Sequence, residues 1–485
     1  MMFFLSIITS LLLGFTFCHF FFKKIKSINL RFFINLSIPI GIGISSIVFI
    51  FFNLIGFSSS IIFLIEIVSI IFLYLKFRNY RIKTSQEKLL YQYEWFNLNK
   101  LLLNPVLLIA TLMYLYSWIM DSGIFFFDSI QNPHGLWDAW SCWNLISRFI
   151  SRAPHDWPTL LHQMNAIDFH PDYPLLQRGF IARCWLLIGD ESVWIPILSA
   201  FIFTFCTIGL LSSSVSVFTN NKTEGFIAGL VLLCTPFFMV MGDSQYADNT
   251  VGYFFLATIV LLTLARRGHS VKPNLLIAAG ISAGFAAWSK NEGLLFIACL
   301  FVSQLTLLFF HKNHRELFTE FKYLFIGMLP ALILVAYLKI FIAPPNQIMS
   351  DQGFKTFSKL TDSSRYAMVW HWFVYQFSSF GKWAFNPWWL FLLGILFKGG
   401  INIKNNNYSF VSNFTCFLLM LVGFFFIEVI TPLGLRYYLA TSLHRLFFQL
   451  FPTFIFMYFL AINGTSSDSR KNNIASLIGN LFKKR

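Results

Sequence analysis

Long apolar runs recur along most of the chain, and they are the feature that most restricts its fold. Runs of about 17 to 25 residues can cross the hydrocarbon core of a bilayer, which is roughly 30 Å thick. Only 12% of the residues are charged, against about 25% in an average soluble domain. The pattern therefore predicts an all-α fold, a polytopic transmembrane bundle.

About thirteen apolar segments divide the chain. They lie near 2–22, 34–55, 60–76, 101–120, 192–213, 225–241, 247–264, 274–288, 293–310, 323–343, 384–398, 410–430 and 446–463. Residues 1–100 are predicted to form three N-terminal transmembrane helices and a cytoplasmic loop. Residues 101–463 form the catalytic core in this division, and 464–485 a basic tail.

The basic residues predict the topology of the bundle. The formal net charge is +15, and Lys and Arg concentrate at 23–31, 76–100, 265–272, 311–322 and the C-terminal tail. Cytoplasmic loops of membrane proteins carry an excess of these residues. The N-terminus is therefore predicted to be external and the C-terminus cytoplasmic, with two long external loops at 121–191 and 344–383.

An aspartate stands among three tryptophans in the stretch HGLWDAWSCWNLISR, residues 134–148. Tryptophans alone are typical of an aromatic belt at a membrane–water interface. Asp138 has two interpretations, either a solvated carboxylate or a functional group at the membrane edge. Charged groups near the hydrocarbon are costly and are functional when they face the bundle interior.

Further charged residues fall on the same predicted face but come from separate segments. They are Asp172, Asp243, Asp248, Lys290, Glu292, Arg365, Arg436, His444 and Arg445. Each also has a structural interpretation. Asp172 or Asp248 would stabilise a helix N-terminus, Lys290 would pair locally with Glu292, and Arg436 would snorkel to the interface. Their shared side favours a site in which a carboxylate accepts a proton and cations stabilise a departing phosphate.

These motifs resemble those of the polytopic glycosyltransferases of the GT-C class. The nearer relatives are the protein O-mannosyltransferases and the aminoarabinose transferase of lipid A, and the resemblance covers roughly 120–450. WDAW matches the position of the family's essential first-loop aspartate, and HPDYPLL resembles a later stretch of that loop. YADNTVGYF, WSKNEGLLF and RYYLATSLHRLF resemble the acidic, lysine and Arg-Tyr segments that follow. The family's usual Asp-Glu pair is here Asp138-Ala139, and three additional segments precede the expected first helix.

The resemblance implies an integral-membrane glycosyltransferase. It would move a sugar from a polyprenyl-phosphate donor to an extracytoplasmic glycan, lipid or protein acceptor by inverting displacement. Asp138 is expected to be the catalytic base. Donor phosphate binding is expected at Lys290, Arg436, His444 and Arg445. Substrate binding is expected at Trp137, His170, Asp172, Tyr173, Tyr246, Asp248, Glu292, Arg365 and Tyr437.

Two other functions share much of this pattern. A transporter or flippase of an anionic lipid or glycan would place charges deep within broken helices, whereas the charges here lie at one edge. A lipid-linked glycan polymerase or ligase would use the same face and the same phosphate site. No organic cofactor, metal site or nucleic-acid partner is predicted, although external carboxylates are available to a hard cation. The expected location is a bacterial inner membrane.

Overall fold

The computed structural model describes residues 1–22, 29–83, 101–164, 169–267, 273–310, 314–345, 353–383, 386–401 and 407–463. The regular elements of these ranges are 19 α-helices and two short π-helical turns. The first seven helices are α1 (Met2–Phe22), α2 (Leu30–Leu54), α3 (Ser59–Lys83), α4 (Pro105–Gln131), α5 (Asn144–Arg152), α6 (Trp157–Gln163) and α7 (Leu176–Ile188). The next seven are α8 (Trp194–Thr219), α9 (Lys222–Leu233), α10 (Pro236–Asp243), α11 (Ala247–Ala265), α12 (Pro273–Ser289), α13 (Asn291–Phe310) and α14 (His314–Tyr337). The last five are α15 (Gly353–Thr361), α16 (Ser363–Ser379), α17 (Trp388–Lys398), α18 (Asn407–Ile430) and α19 (Leu435–Asn463).

Nine helices in the described ranges are long and apolar enough to span a membrane. The pair α9 and α10 would make a tenth span, broken by a bend of 68°. The chain is therefore an integral, multi-pass membrane protein with an all-α fold, as predicted. All thirteen predicted apolar segments are helical. Those that do not count as single spans are the bent pair α9–α10 and the shorter helices α12, α13 and α17.

Two helices extend beyond the apolar segments that predicted them. Helix α4 continues to Gln131, so the connection after it begins eleven residues later than 121. Helix α19 begins at Leu435 and includes the polar stretch before 446. A helix is defined by backbone hydrogen bonds, which polar side chains do not prevent, so apolar content alone underestimates its length. Parts of the predicted cytoplasmic loops and tail lie outside the described residues, at 23–28, 84–100, 268–272, 311–313 and 464–485. So does the segment 346–352 of the second long loop.

Helix α11 lies at the centre of the bundle. Each of its 19 residues is buried, and it packs against α8, α12 and α19. Helices α3 and α4 lie at the periphery, where their apolar side chains are mostly exposed. An apolar exposed face is what a helix needs in order to contact lipid.

Small residues let α12 and α14 approach each other closely. A methyl group on Gly280 would lie 2.1 Å from the carbonyl oxygen of Leu324, and one on Gly327 would lie 2.2 Å from that of Ile277. Small residues at such spacing bring the backbones of membrane helices together. The small-residue stretch GISAG (280–284) lies at this contact between α12 and α14.

One end of the bundle carries residues 132–193, and we call it the loop end. It contains a π-helical turn at Ala139–Trp143 and the short helices α5, α6 and α7. The turn between α10 and α11 fixes this region, because Gln245 adopts a left-handed conformation (φ +62°) and meets three of its groups. Its side-chain oxygen accepts a hydrogen bond from Asn144, its side-chain nitrogen donates to the carbonyl of Pro133, and its backbone carbonyl accepts one from Gln177.

Candidate active site

Asp248 is the most buried group of an ionic network at the loop end. It lies in the first turn of α11, and its side chain is fully buried. Oδ1 accepts hydrogen bonds from Lys290 Nζ (2.9 Å) and Gln449 Nε2 (2.7 Å). Oδ2 accepts from Arg445 Nη2 (2.7 Å) and Nε (3.2 Å). A carboxylate has about four acceptor positions, so Asp248 is fully used in holding these three side chains.

Arg445 connects Asp248 to Asp138. Its Nη1 donates to Asp138 Oδ2 at 2.5 Å, and its guanidinium lies over the ring of Tyr246, 4.6 Å from the centroid. The hydroxyl of Tyr246 accepts a hydrogen bond from the backbone N–H of Asp138 at 3.2 Å. Burial raises the pKa of Tyr246 to about 12, so this hydroxyl stays protonated. Three of the five N–H groups of Arg445 are used within the described residues, which leaves two as donors.

Asp138 is the exposed member of the network. Its side chain is 30% exposed, compared with 16% for Arg445 and 0% for Asp248. No described residue donates a hydrogen bond to Oδ1. This carboxylate oxygen is therefore available to accept a hydrogen bond from a hydroxyl group, or the proton of that group. The backbone around it is fixed, because Leu136 N–H donates to the carbonyl of Ser244 at 3.2 Å.

Lys290 lies between α12 and α13, and Glu292 lies in the first turn of α13. Lys290 Nζ pairs with Glu292 Oε1 at 2.8 Å as well as with Asp248. Burial acts to lower the pKa of Lys290, but the two carboxylates outweigh it and raise the pKa above its ordinary value. The ammonium is therefore a fixed positive charge. Among the described residues no three His, Cys, Asp or Glu side chains form a group that would hold a metal ion.

A second polar contact adjoins the network through Asp172. Asn291 Nδ2 donates to Asp172 Oδ2 at 2.9 Å, and Lys339 Nζ donates to the backbone carbonyl of Asp172 at 2.5 Å. Lys339 also donates to Asn291 Oδ1 at 2.7 Å. These bonds join the first long connection, the α12–α13 turn and the π-helical turn Leu338–Ile342 that follows α14.

The stacked rings of Trp143, Tyr173 and His170 lie between the Asp248 network and the Asp172 contact. Tyr173 stacks on Trp143 (5.4 Å between centroids) and on His170 (4.9 Å), and Lys290 Nζ lies 5.7 Å from the centroid of its ring. Behind the stack, the buried Arg178 donates to the backbone carbonyls of His170 and Tyr173. Burial lowers the pKa of His170 and raises that of Tyr173 well above its ordinary value. Both side chains are therefore neutral near pH 7.

Other predicted site residues do not join this network. Arg365 donates to the carbonyls of Val429 and Thr431, at the end of α18. A cation stabilises a helix C-terminus in this way, which gives Arg365 a structural role. Arg436 and Tyr437 are exposed, and Arg436 makes no ion pair with a described residue.

Two predicted residues lie near the network without contacting its charges. His444 precedes Arg445, but its ring packs edge-to-face against Phe237, with 5.3 Å between centroids. Trp137 precedes Asp138, is 68% exposed, and packs against Trp140.

Four residues of the network were not predicted from the sequence, namely Arg178, Asn291, Lys339 and Gln449. Lys339 and Gln449 lie within apolar segments of the sequence. A polar side chain in a membrane helix is expensive unless it has a partner, and that signal was available for both. Asn291 lies within the quoted motif WSKNEGLLF and Arg178 lies just after HPDYPLL, but neither has a spacing that would mark it.

The comparisons with known proteins bear on the same part of the chain. Residues 172–340 match the family described as dolichyl-phosphate-mannose-protein mannosyltransferase. No curated protein and no solved structure matches the chain. The matched segment contains Asp172, Asp248, Lys290, Glu292 and Lys339, so it includes most of the network. Together with the helical fold, this match supports the predicted resemblance to the membrane glycosyltransferases of the GT-C class.

Proposed function

We propose that the protein transfers a sugar from a polyprenyl-phosphate donor to a hydroxyl group of a glycan, lipid or protein acceptor. The observation that carries this proposal is the pairing of Asp138 with Arg445. Among the described residues, a partly exposed carboxylate with one available oxygen lies beside a guanidinium with two available donors. A base and a phosphate site are thus close enough together to act on one sugar carbon, the base from one face and the phosphate site at the leaving group on the other.

Asp138 is the general base in this mechanism. Its Oδ1 takes the proton of the acceptor hydroxyl as the acceptor oxygen attacks the anomeric carbon. The bond from that carbon to the phosphate oxygen breaks, and polyprenyl phosphate leaves with the electron pair. Attack opposite to the leaving group inverts the configuration of the sugar.

Arg445 and Lys290 stabilise the charge on the leaving phosphate. Arginine contacts phosphate through two N–H groups, and lysine supplies a point charge. Asp248 holds both cations and therefore acts by positioning them. Glu292 stands in for the second carboxylate of the family's first-loop pair. Arg436 and His444, which lie outside the network, would contact the donor only where it extends along α19.

The loop end faces the outside of the membrane in this proposal, and the cell membrane of a bacterium is the proposed location. Basic residues at the opposite ends of the helices favour that orientation. No divalent metal is required in this mechanism, since two cationic side chains supply the positive charge. Transfer is therefore expected to continue in EDTA, and activity restored only by magnesium or manganese would contradict this.

Asp138→Asn tests the function. Radiolabelled polyprenyl-phosphate sugars are incubated with the purified protein and with acceptor glycans, lipids or peptides, and the labelled product is analysed. The variant should transfer sugar about 10²- to 10⁴-fold more slowly, the usual contribution of a general base, with an unchanged unfolding temperature. Asp190→Asn, a change of an exposed aspartate at the same end, is the matched control. Near-normal turnover in Asp138→Asn would remove Asp138 from the mechanism.

The identity of the transferred group separates this function from a polymerase or ligase of lipid-linked glycans. A single labelled sugar in the product supports the proposal. Transfer of a whole preassembled glycan, with no transfer of single sugars, would assign the protein to the ligase class.

A further inference from the structure

Lys339 is a charged residue in the π-helical turn Leu338–Ile342, within the apolar segment 323–343 of the sequence. Its neighbours Ile340 and Phe341 are 70% and 66% exposed, as expected for side chains that contact lipid. The lysine side chain instead turns into the protein, where Nζ donates to three oxygens: the backbone carbonyl of Asp172, Asn291 Oδ1 and Asp172 Oδ2. An ammonium has three donors, so Lys339 has none left for a ligand.

These contacts hold two segments that carry residues of the proposed site. Asn291 immediately follows Lys290, and Asp172 immediately precedes Tyr173, whose ring lies 5.7 Å from Lys290 Nζ. Lys339 therefore joins the segment that carries Tyr173 to the segment that carries Lys290.

Lys339 also balances the charge of this end of the bundle. The network contains four carboxylates, on Asp138, Asp172, Asp248 and Glu292. Three cations form ion pairs with them, on Lys290, Lys339 and Arg445, and a fourth, Arg178, donates to the backbone carbonyls of His170 and Tyr173. Without Lys339, the 4%-exposed carboxylate of Asp172 would lose this ion pair, and its negative charge would act more strongly against an incoming phosphate.

We propose that Lys339 is a positioning residue for donor binding, which neutralises Asp172 and holds Asn291 and Lys290 in place for the donor phosphate. The inference rests on the proposed function, because it assumes an anionic donor. It assigns Lys339 no contact with the donor and no part in proton transfer.

Binding of undecaprenyl phosphate in detergent micelles tests this without requiring turnover. Lys339→Met should raise its Kd about tenfold, the factor that corresponds to about 1.4 kcal/mol. The double variant Lys339→Met/Asp172→Asn removes the negative charge of Asp172 as well as the lysine. The Kd of the double variant should return most of the way to the wild-type value. The Kd of Lys339→Arg should stay close to the wild-type value.

The control is Lys359→Met, because Lys359 lies on α15 and donates to the carbonyl of Ile430 at the end of α18. The Kd of Lys359→Met for undecaprenyl phosphate should equal the wild-type value. With a functional donor, Lys339→Met should raise the KM for the donor and leave the KM for the acceptor near wild type.

Several results would overturn the inference. They are an unchanged Kd in folded Lys339→Met, a double variant that regains thermal stability but not affinity, and a wild-type protein that does not bind the phosphate. Failure of the proposed function gives a different result, namely wild-type binding of undecaprenyl phosphate with the expected Kd changes but no transfer of sugar.

Discussion

Two arginines of the bundle each bind a buried carboxylate, and they differ in what they leave available. Arg183 of α7 pairs with Glu66 of α3, and the two side chains are 1% and 0% exposed. Its remaining N–H groups bond the carbonyl of Ser6, the hydroxyl of Thr9 and the sulfur of Cys184. All five donors are used. Arg445, by contrast, has two N–H groups that no described residue uses, and a partly exposed partner in Asp138.

The difference separates a structural ion pair from a candidate site. A buried charge must be paired in order to be tolerated in a membrane protein. The Arg183–Glu66 pair meets that need and leaves no N–H group of Arg183 unused. The Arg445 network also pairs the buried carboxylate of Asp248. Its exposed end still presents N–H donors of Arg445 and the Oδ1 acceptor of Asp138. Charge alone would not distinguish the two, whereas the exposure of Asp138 and the unused hydrogen-bonding groups do.

Arg183→Met breaks the closed pair and should have the largest effect on stability. It leaves Glu66 buried without a cation, which typically costs about 3–5 kcal/mol. Thermal unfolding in detergent measures the loss, while the specific activity of the folded fraction should stay near that of the wild type. Replacing both partners, in Arg183→Met/Glu66→Met, should recover most of the stability. A double variant as unstable as the single one would show that packing around Arg183, and not the unpaired charge, explains the loss.

Arg445→Met tests the open network and should act mainly on activity. Removal of one group that stabilises transition-state charge typically costs about 10²- to 10³-fold in rate. Asp248 keeps Lys290 and Gln449 as partners, so the unfolding temperature should fall less than in Arg183→Met. Arg152→Met, which removes an arginine paired with Glu191 at the loop end and 66% exposed, is the control and should retain full activity. If Arg445→Met lost stability but kept the wild-type transfer rate, the Arg445 network would be structural, like the Arg183–Glu66 pair.

His170→Asn should have the smallest effect of the three variants, and the effect should be on the pH dependence of stability. Because burial lowers the pKa of His170 below its ordinary value of 6.5, the unfolded chain binds the proton more readily than the folded protein. Stability is therefore complete above about pH 6.5 and falls as the pH drops below it, by at most about 1.4 kcal/mol per pH unit. Asparagine tolerates the positive φ of this position. The difference in unfolding temperature between pH 7.5 and 5.5 should be smaller in the variant, and an equal difference would contradict the assignment.

The helical framework could be predicted because apolar length is a local property of the sequence. Each of the thirteen apolar segments corresponds to a helix or to the bent pair. The early start of α19 at Leu435 was missed because its first turns are polar. That start places Arg445 on a rigid helix, where the sequence had suggested a loop.

The partners within the site could be predicted only in part. Asp138, Asp248 and Lys290 stood out as charges at a membrane edge, and the structure brings them together with Arg445. Arg436 stood out for the same reason but is exposed and apart from them. Pairing depends on which helix ends meet in space, and a single sequence does not contain that information. The roles of all these residues stay predictions until the variants are measured.

The close contact between α12 and α14 has a consequence for how the sequence can vary. At Gly280 and Gly327 even the smallest side chain would collide with a backbone carbonyl of the opposite helix. Lys290 directly follows the end of α12, ten residues beyond Gly280. A mutational library selected for function should therefore retain glycine at both positions, because a wedge between these helices would displace the lysine.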